Sequence, residues 1–292
     1  MFQISRAAGF GALAFAAGLS ACSGDAPITK VWELTGLANP ESALPDVKAG
    51  IIYVSNVNGA PDAKDGNGFI SKVSLDGKMV AEKWATGLNA PKGLALVGGK
   101  LYATDIDELV EIDTNDGKVT NRFPAKDAKF LNDAAADSSG NIYVSDMVTN
   151  TIWKLSGGKF ESWLNDPKLE NPNGLTVEGK DLRVAAWGVM TDGFATKVPG
   201  HLISVSLDSK AISAVGDGKP FGNLDGLEAL GGGTYLLTDW MAGKVMRFGA
   251  DSKVDTLLDL GQGTADIGYD PARKIMYLPH MTKSTLTAYN LK

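Results

Sequence analysis

The sequence predicts an all-β fold: a six-bladed β-propeller of four-stranded blades, closed by the N-terminal strand. Three observations carry this. A short motif, a polar residue set ahead of Gly-Leu in its clearest copies, recurs in six versions along 292 residues. Between its copies, extended segments alternate with Gly-rich turns, and no segment sustains a helical period. An unpaired extended segment also precedes the first copy, while the last copy is followed by too few strands for a full blade.

The clearest copy is Asn171-Pro172-Asn173-Gly174-Leu175. The others are Asn39-Pro40-Glu41-Ser42, Ala90-Pro91-Lys92-Gly93, Leu131-Asn132-Asp133-Ala134, Asn223-Leu224-Asp225-Gly226 and Thr264-Ala265-Asp266-Ile267. The shared slot is thus expected to hold Glu41, Lys92, Asp133, Asn173, Asp225 and Asp266. Its spacing of roughly 40 to 52 residues is that of propeller blades.

In chain order, residues 1–21 read as a secretory signal, with Arg6 as the positive region and an apolar run after it. Leu19-Ser20-Ala21-Cys22 resembles a bacterial lipobox, so Cys22 is expected to carry lipid, with residues 22–27 as a tether. Ser23 after the Cys points to the periplasmic side of the outer membrane. Residues 28–292 form the propeller. Segment 28–37 is expected to close the ring by joining the last blade, which removes two open sheet edges.

Each blade then repeats one grammar. An inner strand follows the slot, and a second strand ends in a polar residue, as in Tyr102-Ala103-Thr104-Asp105 and Tyr143-Val144-Ser145-Asp146. Hairpins such as Leu75-Asp76-Gly77-Lys78 and Asn115-Asp116-Gly117-Lys118 lead into the outer strand. Two repeats are longer, at 56–69 and 187–201, and extra loop length is where function tends to sit.

The bulk numbers exclude several classes. A hydrophobic content of 44% and 35 Gly suit a globular fold rich in tight turns. Net charge is −6 with no basic cluster, which argues against nucleic acid as a partner. The single Cys excludes a disulfide within the chain. No Gly-x-Ser-x-Gly is present, so neither a thiol nor a serine nucleophile has support.

Strands alternate in direction, so the slots and the ends of the second strands lie at one end of the tunnel. Carboxylate and amide side chains there are hard oxygen ligands, and none of the slots holds His or Cys. One divalent cation is expected: Ca²⁺, with Mg²⁺, Mn²⁺ or Zn²⁺ as alternatives. Lys92 would meet an anionic substrate group or offset the acidic ring. His280 ends a second strand where other blades carry Asp, and is a candidate proton carrier. Asp105, Asp146 and Asp239 are expected to be structural.

The ordered set Glu41, Asn132, Asn173 and Asp225 resembles the gluconolactonase and regucalcin family, to which paraoxonase and diisopropylfluorophosphatase are related in architecture. The resemblance covers 28–292. It implies a tunnel cation held by Glu41, Asn173 and Asp225, with Asn132 near substrate or metal. Two departures stand out. Glu41-Ser42-Ala43 replaces the family's Glu-Gly-Pro, and Phe130 stands where sugar-lactone hydrolases of the regucalcin type carry Arg. The function this implies is hydrolysis of a lactone or related ester, with Asp225 as base or nucleophile. A non-catalytic propeller lipoprotein that binds a protein or small ligand is the alternative.

Overall fold

The structure, a computed structural model, describes residues 28–291. The signal segment, the tether and Cys22 lie outside the described residues. Six four-stranded antiparallel sheets form a ring, a six-bladed β-propeller. The innermost strands are Pro40–Asp46, Pro91–Val97, Leu131–Ala136, Pro172–Glu178, Leu224–Gly231 and Gly268–Asp270. Two single 3-10 turns are the only helical pieces among the described residues.

The last blade is completed by the first strand, as expected. Strand Thr29–Thr35 pairs antiparallel with Thr285–Asn290, from Thr29 opposite Asn290 to Thr35 opposite Thr285. Packing fixes this closure. Trp32 donates through Nε1 to the Leu75 carbonyl (3.1 Å), and its ring lies 6.0 Å from that of Tyr277. Gly77, at φ +84°, is the hairpin glycine that permits this. A Cβ there would sit 2.5 Å from the Trp32 ring.

Both faces of each sheet are covered by the neighbouring blades, so the core is divided into six layers, one per blade interface. The closing layer joins Ile52, Val54 and Val73 of the first blade to Tyr277, Leu286 and Ala288 of the last. Alternating apolar residues on strands such as Leu101-Tyr102-Ala103 serve one layer each way.

The innermost strands share a device that alternation alone does not disclose. In each of the first five blades the register slips at the motif: Pro40 faces Asn56 but Ala43 faces Val54, and Leu131 faces Asp146 but Ala134 faces Val144. Two residues on the inner strand therefore oppose one on the next, a β-bulge. The same slip occurs at Pro91/Leu94, Pro172/Leu175 and Leu224/Leu227.

The bulge corrects the expected slot. Its first position holds Glu41, Lys92, Asn132, Asn173 and Asp225; its second holds Ser42, Gly93, Asp133, Gly174 and Gly226. In the sixth blade Thr264 faces His280, which puts Ala265 first and Asp266 second. Asp133 and Asp266 thus belong to a second layer, one residue further along the axis.

Candidate active site

The side chains in the first bulge position converge on one cavity of about 280 Å³. Glu41, Lys92, Asn132, Asn173 and Asp225 line it from five blades. The four residues of the family resemblance and Lys92 are therefore brought together. Asp133 and Asp266 line a separate space along the axis with Ser42 and Glu228.

Hydroxyls on the second strands hold this ring in place. Ser145 Oγ accepts from the Asp133 amide (2.9 Å) and donates to the Asn173 carbonyl of the next blade (2.8 Å). Thr238 does the same between the Gly226 amide (2.7 Å) and the Ala265 carbonyl (3.1 Å). Thr104 Oγ1 donates to the Asn132 carbonyl at 2.5 Å. The slots of the third and fifth blades are thus tied both within the blade and across to the next. Glycine in the second position allows this approach: a Cβ on Gly93 would lie 2.4 Å from Asp133 Cα, and one on Gly174 2.0 Å from the Asp225 carbonyl oxygen.

The residues after the recurring Ser and Thr hold the loops that lead into the slots. Asp105 accepts from the amides of Asn89 (2.8 Å) and Ala90 (2.8 Å), and Asp146 from those of Lys129 (2.9 Å) and Phe130 (3.2 Å). Asp239 accepts from the Asn223 amide in the corresponding loop and from that of Ala242 in the turn that follows its strand. His280 has the same place with inverted polarity. Its Nε2 lies 3.1 Å from the Gly261 carbonyl and 3.3 Å from that of Leu260. Both partners only accept, so Nε2 carries the hydrogen. Burial, then Lys283, pushes the imidazole below its usual range. His280 does not line the cavity with the other candidates; its ring faces the two carbonyls instead.

The ring is electrostatically loaded. Burial, then Asp225 and Asp266, holds the Glu41 carboxyl well above the usual range. Asp225 is raised by burial and then by Asp266, against a hydrogen bond with Asn173. Below them, burial and then Asp266 raise Asp133, and burial lifts Asp266 to about 7. Glu228 is lifted to about 8 by burial and then Asp266.

Two oxygens in the cavity lining lack partners: Glu41 Oε2 and Asn173 Oδ1 are buried and make no hydrogen bond. With Asp225 they are the oxygens that could hold a cation. Among the described residues, no group of three or more His, Cys, Asp or Glu side chains gathers in metal-ligating fashion. Lys92 is the one cationic side chain in the cavity lining. It donates to the carbonyls of Pro61 (2.8 Å) and Ala90 (2.9 Å) and lies 4.5 Å from the Phe130 ring centre. Burial pulls its amine down to about 8, against the opposing pull of Glu41.

Above this polar floor the walls are apolar: Phe130, Met147, Trp187, Phe194, Trp240 and Met281. Sequence reasoning missed most of them. Their signal was positional, because Met147, Trp187, Trp240 and Met281 each follow the last residue of a second strand. Both long loops reach the cavity, one through the Pro61 carbonyl and the other through Phe194.

Fold and cavity together define a six-bladed propeller with an acidic floor and an aromatic wall. No family model matches the chain, and no curated protein matches it in sequence. Solved structures do. A streptogramin B lyase shares 11% identity over 91% of this chain and 98% of its own, with a TM-score of 0.63. Virginiamycin B lyase from Staphylococcus aureus shares 15% over 91% and 100%, with a TM-score of 0.61. A catalytically inactive form of that lyase with quinupristin gives 14% over the same shares and a TM-score of 0.59. At these identities the likeness shows a common fold.

Proposed function

We propose that the protein is a divalent-cation-dependent hydrolase of a lactone or related ester, with the cation held by Glu41, Asn173 and Asp225. The observation that carries this is the pair of unpartnered buried oxygens, Glu41 Oε2 and Asn173 Oδ1, in a cavity shared with Asp225. A buried acceptor without a partner is costly, and two raised carboxylates in one cavity add to the cost. A hard cation such as Ca²⁺ answers both, since it takes oxygen ligands and favours the ionised carboxylates. That the neighbouring structures are lyases supports a propeller enzyme in general.

Held there by Glu41, Asn173 and Asp225, a cation would supply Lewis-acid polarisation of an ester carbonyl. The chain's own groups supply the rest. Asp225 takes the proton of an attacking water and returns it to the leaving oxygen as the ester C–O bond breaks, or attacks the carbonyl carbon itself, expelling that oxygen, with water then opening the acyl-Asp225 anhydride. Asn132, whose amide nitrogen has just one weak partner among the described residues, the Met147 sulfur at 3.7 Å, can donate to substrate. Lys92 spends two hydrogens on carbonyls, which leaves a third for the oxygen on which negative charge develops. Lipidation at Cys22 would hold this enzyme at the outer membrane.

The test is a thermal melt of chelator-treated protein before and after calcium, run beside a panel of lactones and aryl esters in ¹⁸O-water. A calcium-induced rise in melting temperature and one ¹⁸O in the acid product are expected. Turnover without ¹⁸O would mean a lyase. A calcium rise without turnover would leave a ligand-binding propeller, and neither would remove the cation site.

A further inference from the structure

We propose that the substrate's non-reacting half is a flat apolar group, a single aromatic ring or an alkyl chain of like size, rather than a polyol, and that Phe194 selects it. This rests on the ester-hydrolase reading above and names the substrate class for that cavity.

The division of polar groups carries the inference. Glu41, Lys92, Asn132, Asn173 and Asp225 all stand at the slot level, where the reacting bond would lie. The walls above offer no spare donor. Trp187 Nε1 donates to the Phe194 carbonyl at 2.9 Å, and Trp240 Nε1 to the Met281 sulfur at 3.3 Å. Hydroxyls of a sugar-like substrate would leave water here without finding partners, which is unfavourable. A flat apolar group loses nothing and buries its own surface.

The wall is built for ring contacts. Phe130 and Phe194 meet edge-on with centres 5.4 Å apart, Trp187 and Phe194 at 6.3 Å, and Trp187 and Trp240 at 6.4 Å. Such tilted arrangements leave ring faces and edges for a further aromatic group. The volume of about 280 Å³ lies at the small end for ligand cavities, so the group is small.

Phe194 is the selective element because of how the 187–201 segment is held. Besides the Trp187 indole bond, Asn223 Nδ2 donates to the Trp187 carbonyl (2.8 Å) and to Thr196 Oγ1 (2.9 Å). The Thr191 amide donates to the Ala195 carbonyl (2.8 Å), and Met190 bridges to Thr196. The segment is therefore a fixed bracket. Phe194 is 41% exposed while still lining the cavity, so it can be replaced without opening the core.

The experiment uses the calcium-loaded protein with two matched lactones, one bearing a phenyl group and one bearing hydroxyls, and a phenyl-bearing lactam that resists hydrolysis. Binding of the lactam is read from quenching of tryptophan fluorescence. The phenyl lactone is expected to exceed the hydroxylated one in kcat/KM by roughly 100-fold, on the scale of apolar-pocket discrimination. Phe194→Ala should raise KM for the phenyl lactone and Kd for the lactam by roughly tenfold with kcat little changed, and Phe194→Leu should recover part of each. If the hydroxylated lactone is turned over as well or better, the apolar class falls and the hydrolase stands. If neither lactone reacts but the lactam binds and weakens in Phe194→Ala, the hydrolase falls and the apolar class stands. A lactam that does not bind, or binds Phe194→Ala equally well, overturns the proposal.

Discussion

The buried carboxylates on the propeller axis predict a pH dependence with a definite sign. Burial raises the Asp266 carboxyl from the ordinary 3.8 to about 7. The unfolded chain loses this proton near pH 4, and the folded chain near pH 7. Between the two, the folded state binds the extra proton. Stability from this group is therefore full at low pH and is lost as pH rises through the folded value. The slope is about 1.4 kcal/mol per pH unit for one proton. From pH 5 to pH 7, with the folded group half-deprotonated at the upper end, Asp266 alone should cost the cation-free protein about 2 kcal/mol, a fall in melting temperature of roughly 4–8 °C for a domain of this size. Glu228, lifted to about 8, acts in the same direction, as do Glu41, Asp133 and Asp225. The assay is calorimetry of EDTA-treated protein at pH 5, 6 and 7. Asp266→Asn should flatten the profile and melt higher than wild type at pH 7. Calcium at pH 7 should raise the melting temperature of wild type and of Asp266→Asn, but not of Asp225→Asn, which lacks one proposed ligand charge. A cation-free melting temperature that is level or rises from pH 5 to pH 7 would refute the argument.

Other outcomes follow from the same geometry. Asp225→Asn should lower kcat by at least about 100-fold, whereas Asp105→Asn, which acts on the amides of Asn89 and Ala90, should lower stability by about 1–3 kcal/mol and turnover far less; steady-state kinetics beside a denaturant melt separates them. Lys92→Met removes the charge that holds Glu41 down, so the acid limb of the pH–rate profile should move to higher pH. A chain beginning at Asn39 lacks the closing strand and should aggregate and melt well below the full domain; light scattering and calorimetry would show it, and an unchanged melt would contradict the closure described above. Cys22→Ala should move the protein from the membrane to the soluble fraction, and mass spectrometry of the mature N-terminus should find lipid on Cys22 in wild type.

Spacing made the blade count legible, and segment 28–37 made the closure legible, because a strand with no partner must find one. The slot register was only partly legible. A bulge adds one residue on one strand, so simple alternation points to either of two neighbours. Where the neighbours were Asn173 and Gly174 the choice was plain. Where both were polar, at Asn132 and Asp133, or where the true slot residue was Ala265, the more acidic neighbour drew the assignment. The aromatic wall was hidden for another reason. Met147, Trp240 and Met281 look like ordinary core residues in a sequence, and only their common place after the second strand separates them. Phe194 reaches the cavity through a folded insertion whose path no periodicity encodes. His280 was drawn to the mouth by chain position, but its side chain turns back to the Leu260 and Gly261 carbonyls.

The closing strand also fixes the end of the ring from which the described chain enters it. Thr35 lies opposite Thr285, at the end of the ring where His280 and the cavity lie, and Thr29 lies opposite Asn290, at the other end. The chain therefore enters the propeller from the side away from the cavity mouth. Were Cys22 to carry lipid, six residues before Ile28, the leash could be at most about 20 Å long. An enzyme held so would rest its opposite face near the bilayer and open this cavity towards the aqueous space, so a substrate of this cavity would arrive by diffusion through water and not along the membrane.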